Sequence, residues 1–580
     1  MTQRSVQYAA AVAGFSLVLT AARPHPRRDG AAPTMAAVQA QLRAQETPEN
    51  SKIMWIEHEL TDVYGPRLTG TPNLKAADDW AIRTMASFGM KNTHLEPYPF
   101  VPERLNHTVP GWDNLTLQAD AVTPFHGQLI VKPLHWTPST AGLVTAEAVL
   151  ITPPGMTPAG RGQAPAPMPT QAEMDAYFAK TAPLIRNKIV LVGEPRVIPV
   201  NFTPAPLRRP DAFWNCQFNA TPDDPACAAF RRGGRGRGGR GPAAPPDPSR
   251  LTRQQITTQF DAFLVKNGVK VRINDANMDH GVIVAYNNPT YDMALEVPTV
   301  VMRSDDYGRI ARVLADGTPV TLRFNIVNTT YPEGKTVYDA VGEIPGTDKK
   351  NEVVMLGGHL DSWNNATGAT DNAIGSAMMM EAARILLASH LQPRRTIRVA
   401  LWSGEEEGLL GSLAYVDNHF GSYEHQKPEY KDLVAYLNID DGTSKPRGAS
   451  VFGPPEAAAE VGRILAPFHD WGFMGSAATA SRRTGGTDST SFNQAGLAGI
   501  NLEQDPIEYQ PFTWHTNLDT YERIVPEDVR EGAAEIAAAA YALAMSDEPL
   551  PRLAPGTMPG PPTPVDPSPQ QALAGAGNHQ

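Results

Sequence analysis

Cysteine is almost missing from this chain, with two among 580 residues. Disulfides therefore do not carry the fold. An excess of basic residues is missing as well. The net charge is −11, which argues against a nucleic-acid binder. After the N-terminal segment, no apolar run is long enough to span a bilayer. Charged residues at 19% and apolar residues at 41% fit a soluble globular protein. The length exceeds what one hydrophobic core serves, so two or three domains are expected.

Proline (54) and glycine (48) are plentiful, which predicts long loops. The one basic tract is RRGGRGRGGRGPAAPPDPSR at 231–250. Arg and Gly at that density bury no core, so a disordered surface loop is expected. Such tracts can bind RNA, but in an exported, net-acidic chain no nucleic-acid partner is expected. The start MTQRSVQYAAAVAGFSLVLTAARPHPRRDG supplies Arg4, an apolar stretch from Val6 to Leu19, and the small residues Ala21 and Ala22. This is the layout of a secretory signal peptide over 1–22. A buried helix is disfavoured because Pro24 to Pro33 cannot continue one. A secreted or periplasmic location follows. In that compartment Cys216 and Cys227, close together in a Pro/Asp-containing loop, are expected to form a local disulfide.

Residues 34–100 read as helical. In AADDWAIRTMASFGM (76–90), Ala76, Trp80, Ile82, Met85 and Phe88 share one apolar stripe. From 119 to 330, short β-branched runs such as NKIVLV and GVIVAY alternate with Pro-rich loops, which predicts a small, mostly β module. From 335 to 548, strands alternate with helices. The strands are EVVMLGGH (352–359), TIRVALWSG (396–404), LVAYLNID (433–440) and AGINLEQ (498–504); helices are expected at 372–390, 408–420 and 526–545. That alternation predicts an α/β sheet packed between helices. Residues 549–580 are Pro/Gly-rich and expected to be disordered.

In open α/β sheets, ligands gather at the carboxyl ends of strands. Here those ends carry metal-ligand residue types. GGHLDSW gives His359 and Asp361, GATDNAIG gives Asp371, and SGEEEG gives Glu405, Glu406 and Glu407. NIDDG gives Asp440 and Asp441, and WHTNLDTYERI gives His515 and Asp519. Two histidines and several carboxylates, with no cysteine, suit Zn²⁺ or another borderline divalent ion. Two such ions can share one carboxylate at about 3.5–4 Å separation. Singly, each residue has an ordinary reading as a core histidine, a helix N-cap or a turn residue. Together, at successive strand ends, they point to a metal site. Adjacent side chains diverge, so the three glutamates cannot all face one metal pair, and the residues alone leave their roles open.

The pieces HLD, GATDN, EEEGLLGS, NID and WHTNLDTYE, in this order, resemble metallopeptidase family twenty-eight, the co-catalytic zinc exopeptidases. GGHLDSW, the long insertion and the secretory start look most like its carboxypeptidase Q branch. The resemblance covers 35–118 and 335–548. It implies an α/β zinc-exopeptidase fold, a phosphorylase/hydrolase-like three-layer sandwich. A protease-associated-like domain would be inserted at 119–330. It also implies two Zn²⁺ per chain, one held by His359, Asp371 and Asp440, the other by Asp371, Glu406 and His515. Asp371 would bridge, with a cis peptide after it. Asp361 would accept the second ring N–H of His359. Glu405 would be the general base, taking a proton from a water bridged between the metals and returning it to the leaving amine. Glu407 falls at the family's variable position, so its replacement is expected to cost little. Three departures stand out. Trp514 replaces a tyrosine that stabilises the oxyanion in glutamate carboxypeptidase, Ser489 stands where many members have histidine, and the loop at 231–250 lies outside the family core.

The resemblance implies a secreted dizinc exopeptidase acting on peptides or dipeptides, with a homodimer allowed. Arg482 and Arg483 in ASRRTGGTD border the family pocket and suit a substrate's terminal carboxylate. They lean the reading to carboxypeptidase or dipeptidase, with aminopeptidase as the alternative. A one-zinc glutaminyl cyclase and a non-catalytic receptor-like scaffold fit less well, because ligands for two metals and a base are all present.

Overall fold

The computed structural model describes residues 34–561, apart from 103–104, 157–166, 205, 220, 222–223, 232–246 and 484–485. The expected signal segment and most of the Arg/Gly-rich tract lie outside the described residues. No helix among the described residues is long and apolar enough to cross a membrane.

The apolar runs at 352–359, 396–404, 433–440 and 498–504 become the strands Lys349–His359, Arg395–Trp402, Leu433–Ile439 and Gly499–Gln504. All four run parallel at the centre of an eight-stranded sheet. Both faces are covered, which is why these strands read as continuous apolar runs. Alternate residues serve opposite faces. Val354, Leu356, Ile397, Val399 and Leu401 join one core with the helices Ile374–Ala388 and Pro526–Met545. Val353, Met355, Ala400 and Trp402 join a second core with Tyr415, Val416 and Phe492 on the other face. Each fully buried Val or Leu contributes roughly 1.5–3 kcal/mol. The result is the expected three-layer α/β sandwich. Because the four strands are parallel, their carboxyl ends share one edge.

Residues 34–100, read as helical, hold the helices Met35–Arg43 and Pro72–Phe88 but end in a strand, Lys91–Pro99. That strand pairs antiparallel with Thr336–Ile344 at the sheet edge. Its sequence, KNTHLEPYP, is polar because most of it is incompletely buried.

The inserted unit differs from a mostly β module. Its eight-stranded sheet opens with Gly111–Thr123 and closes with Thr321–Tyr331, outside the expected 119–330. Val144–Ile151, Ile189–Val192, Val271–Asp275 and Thr299–Met302 pair in parallel. Parallel neighbours need crossovers; the helices Gln171–Ile185 and Arg253–Lys266 supply two of them, and Ser304–Ala315 follows the last of these strands. The first two start with capping boxes, Thr170 with Glu173 and Thr252 with Gln255. Those signals are present in the sequence between proline-rich flanks.

An arm of the insert grips the sandwich. Arg208 forms a two-pronged ion pair with Asp528 at 2.7 and 2.8 Å. Trp214 Nε1 donates to Asp505 at 3.0 Å. The expected Cys216–Cys227 disulfide closes this arm. The tail, expected to be disordered from 549, is packed over its described part. Leu550 is buried in the main core, and the Arg552 guanidinium donates to Tyr430 O at 3.0 Å and lies over the Tyr430 ring. Apolar and cationic side chains among the prolines give this stretch something to bury.

Candidate metal centre

His359 ends the central strand and is fully buried. Its Nε2 lies 3.3 Å from Asp371 Oδ1 and 3.3 Å from Asp440 Oδ1. Asp371 sits in a kinked turn, Ala369–Ala373, where Asp371 and Asn372 leave helical backbone angles before the helix Ile374–Ala388 begins. The Asp371–Asn372 peptide is cis, as the resemblance implied. Asp440 follows the strand Leu433–Ile439 directly. His515 Nε2 lies 2.9 Å from Glu406 Oε2 and 3.3 Å from Asp371 Oδ2. The two oxygens of Asp371 therefore face different imidazoles.

Two triads result, His359–Asp371–Asp440 and Asp371–Glu406–His515. In each, one ligand atom per residue lies within 4.8 Å of the others. The residues fit a pair of metal ions on their own chemistry. Asp371 Oδ2 and Glu406 Oε1 are buried and accept no hydrogen bond, a costly state for carboxylates unless a cation meets them. Burial pushes the Glu406 pKa well up, and the charges of Asp371 and Glu405 add to it. Burial likewise pulls the His515 pKa down to about 4, against the pull of Asp371. A neutral imidazole is the form that binds a metal.

Glu405 reaches His359 Nε2 at 4.0 Å without belonging to either triad. Its pKa is raised well above the carboxylate range, by burial first and then by Asp440, Asp488 and Asp361, with His359 opposing. Glycines set the turn that separates these glutamates. Gly408 has φ +121°. A Cβ on Gly411 would lie 2.2 Å from Asp339 Oδ1 and 2.5 Å from Ser403 O. The GLLGS stretch thus closes tightly under the glutamates.

Asp361 meets its expected partner, His359, through its backbone oxygen. His359 Nδ1 lies 3.0 Å from the backbone oxygen of Asp361 and 3.6 Å from its carboxylate. The carboxylate instead accepts the backbone N–H groups of Glu405 and Glu406, each at 3.2 Å, and the Thr69 hydroxyl at 3.1 Å. The backbone turns at Asp361 so that its carbonyl meets the ring, which frees the carboxylate for the neighbouring loop.

Two further expectations change. Arg482 is buried and bound to Glu424 at 2.6 and 3.1 Å and to Gln494 O at 2.7 Å, so it has a structural partner in place of a substrate carboxylate. Glu407 is buried, at 6% exposure. Burial first and then Asp361 push its pKa well above the carboxylate range, so its site is more constrained than a variable position implies. Asp441 lies outside both triads, and its backbone N–H donates to Gln504 at 2.9 Å. Trp514 stacks on the His515 ring with centroids 4.0 Å apart. Ser489 is buried at the start of the helix Ser489–Gln494.

Sequence reasoning missed some residues. Arg67 is fully buried and donates to Leu360 O, Leu60 O, Thr367 O and Gly368 O at 2.6–2.9 Å. It stands in a Gly/Pro stretch that reads as a plain turn. In the sequence Asp519 reads only as a strand-end carboxylate. It accepts Thr370 N–H at 2.6 Å, the Thr370 hydroxyl at 2.8 Å and Asp371 N–H at 3.1 Å. Tyr286 comes from the insert, and its ring meets His515 edge to face with centroids 5.6 Å apart. Nothing in GVIVAYNNP marks that contact.

Residues 339–540 match the model of peptidase family M28. Carboxypeptidase Q of Mus musculus is 31% identical over 261 residues, covering 44% of this chain and 52% of that protein. Leucine aminopeptidase 2 of Trichophyton equinum is 33% identical over 165 residues, 27% of this chain and 31% of that protein. The chain thus spans about half the length, or less, of these curated relatives. Among solved structures, a peptidase M28 precursor from Shewanella amazonensis SB2B shares the fold at TM-score 0.59 and 22% identity, over 90% of this chain and 99% of that one.

Proposed function

We propose that this chain, which carries a peptidase family M28 domain at residues 339–540, is a dizinc exopeptidase that hydrolyses short peptides. One observation carries the reading: Asp371 offers one oxygen to each of two histidine-containing triads. His359, Asp371 and Asp440 would hold one Zn²⁺, and Asp371, Glu406 and His515 the other. Bound there, the ions supply Lewis acidity that polarises the scissile carbonyl and acidifies a water.

The chain's own residues do the rest. Glu405, beside the triads but in neither, takes the proton of the attacking water at its carboxylate and passes it to the leaving amine. Burial raises its pKa, the direction that makes a carboxylate a stronger proton acceptor. Asp361 holds the backbone of Glu405 and Glu406 together, so the proton carrier and a ligand keep one spacing. The Asp361 carbonyl takes the Nδ1 proton of His359 and leaves Nε2 for a metal. Trp514 covers the His515 ring and limits water there.

Glu405→Gln is expected to abolish peptide hydrolysis and leave two zinc ions per chain by elemental analysis. Full activity in that variant sinks the base assignment, and fewer than two ions in the parent chain sinks the dinuclear one. The relatives carry both carboxypeptidase and aminopeptidase names. The engagement of Arg482 with Glu424 withdraws one of the two arginines that favoured a carboxypeptidase, so the aminopeptidase reading stands beside it. Assays of N-blocked against C-blocked dipeptides separate the two. A secreted or periplasmic location is supported by the Cys216–Cys227 disulfide.

A further inference from the structure

The two histidines of the centre are secured in different ways. His359 is held within the peptidase fold, its Nδ1 on the Asp361 carbonyl. His515 lies in a loop with φ +59°, a left-handed conformation that a non-glycine residue keeps only when its surroundings impose it. Those surroundings come from the inserted unit. Val284 and Thr516 form an antiparallel bridge. Ile283 N–H donates to Asn517 Oδ1 at 2.7 Å, and Asn517 N–H donates back to Ile283 O at 3.1 Å. The Asn365 amide joins both sides, donating to Ala285 O at 2.8 Å and to His515 O at 3.0 Å.

This clip delivers Tyr286 to the ring. Its hydroxyl oxygen lies 3.5 Å from His515 Nδ1, the nitrogen turned away from Asp371 and Glu406. A histidine that binds a metal through Nε2 carries its proton on Nδ1 and needs an acceptor there. A phenol oxygen can be that acceptor. Trp363 packs edge-on against both the Tyr286 and His515 rings and limits their rotation.

We propose that Tyr286 is a positioning residue for His515, so that the inserted unit controls zinc binding at the Asp371–Glu406–His515 triad and not at the other. The proposal rests on the dizinc reading above. Its physical content is asymmetry: a residue from one unit sets the affinity of half of a centre built by the other.

The test is zinc retained per chain against a graded series of chelator-buffered free zinc, on the full chain and on Tyr286→Phe. In Tyr286→Phe one equivalent is expected to leave at about 10–100-fold higher free zinc than in the parent, the range for losing a partner of a metal-bound histidine. The other equivalent is expected to follow the parent curve. After cobalt substitution, visible bands should change for one site only. Asn517→Ala, which removes the side-chain acceptor of Ile283 N–H and keeps the phenol, should weaken the same equivalent, so the proposal remains testable if one variant folds poorly. Overlaid release curves, or a joint shift of both equivalents, overturn it. The parent's zinc count reads the dizinc assignment, whereas the difference between parent and variant reads the tyrosine.

Discussion

Asp519 Oδ2 accepts the backbone N–H of Asp371 at 3.1 Å, while Oδ1 takes both the N–H and the hydroxyl of Thr370 at 2.6 and 2.8 Å. One buried carboxylate thus fixes the turn that presents the shared metal-facing residue. Burial and the charge of Asp371 push the Asp519 pKa up to about 7. Asp519→Ala is expected to weaken both zinc equivalents together, by roughly 10–100-fold, because Asp371 serves both triads. Competition with a chelator measures this. Two equivalents held as tightly as in the parent would show that the turn keeps its shape without Asp519.

Arg482 is expected to matter for folding and not for substrate. Arg482→Ala removes hydrogen bonds to a carboxylate and a carbonyl, and bonds involving a charged group contribute about 1.5–3 kcal/mol. Urea unfolding should show a loss within that range. KM for dipeptides with a free carboxyl terminus should stay at the parent value. A selective rise in KM for those substrates would restore Arg482 to the binding pocket.

The metal-facing residues were legible in the sequence because each sits at the end of a strand whose apolar run is unmistakable. The structure brings His359, Asp371, Glu406, Asp440 and His515 together in the grouping that the resemblance implied. What supports them was not legible. Arg67, Asp519 and Tyr286 reach the site across 293, 148 and 229 residues of chain respectively, and no local pattern encodes such contacts. Asp361 shows a subtler limit. Its proximity to His359 was readable, but the choice between its carbonyl and its carboxylate depends on one backbone rotation. The helices of the insert are masked although Thr170 and Thr252 announce two of them, since proline-rich flanks favour loops.

Glu407 gives a case where the structure reverses a sequence expectation. A residue at a variable position beside a glycine is expected to tolerate change. In the fold it is 6% exposed beneath the metal-facing loop. Glu407→Ala is therefore expected to cost about 0.5–3 kcal/mol of stability, the common range for a point substitution, with two zinc ions retained. An unchanged urea midpoint would favour the sequence reading.

The pair His419–Glu96 makes stability depend on pH far from the metal centre. His419 ends the helix Leu410–His419, and its Nε2 lies 2.8 Å from Glu96 on the edge strand Lys91–Pro99. The hydrogen bond to Glu96 raises the His419 pKa against burial. Burial pushes the Glu96 pKa up, but the bonds from His419 and His94 outweigh it and leave the carboxylate below its ordinary value. A raised histidine pKa stabilises the fold fully below the unfolded value, about 6.5, and the effect fades as pH rises through the folded value. A lowered glutamate pKa stabilises above its unfolded value, about 4.3, and fades as pH falls through the folded one. Both contributions are present together between those two unfolded values. The groups are partly exposed, so the gain is at most about 1 kcal/mol. His419→Gln should therefore lower the thermal midpoint most near pH 5.5 and least near pH 8.5. A deficit that stays constant across that range would mean that the ring acts through packing on Tyr415, with which it stacks at 4.3 Å, and not through its charge.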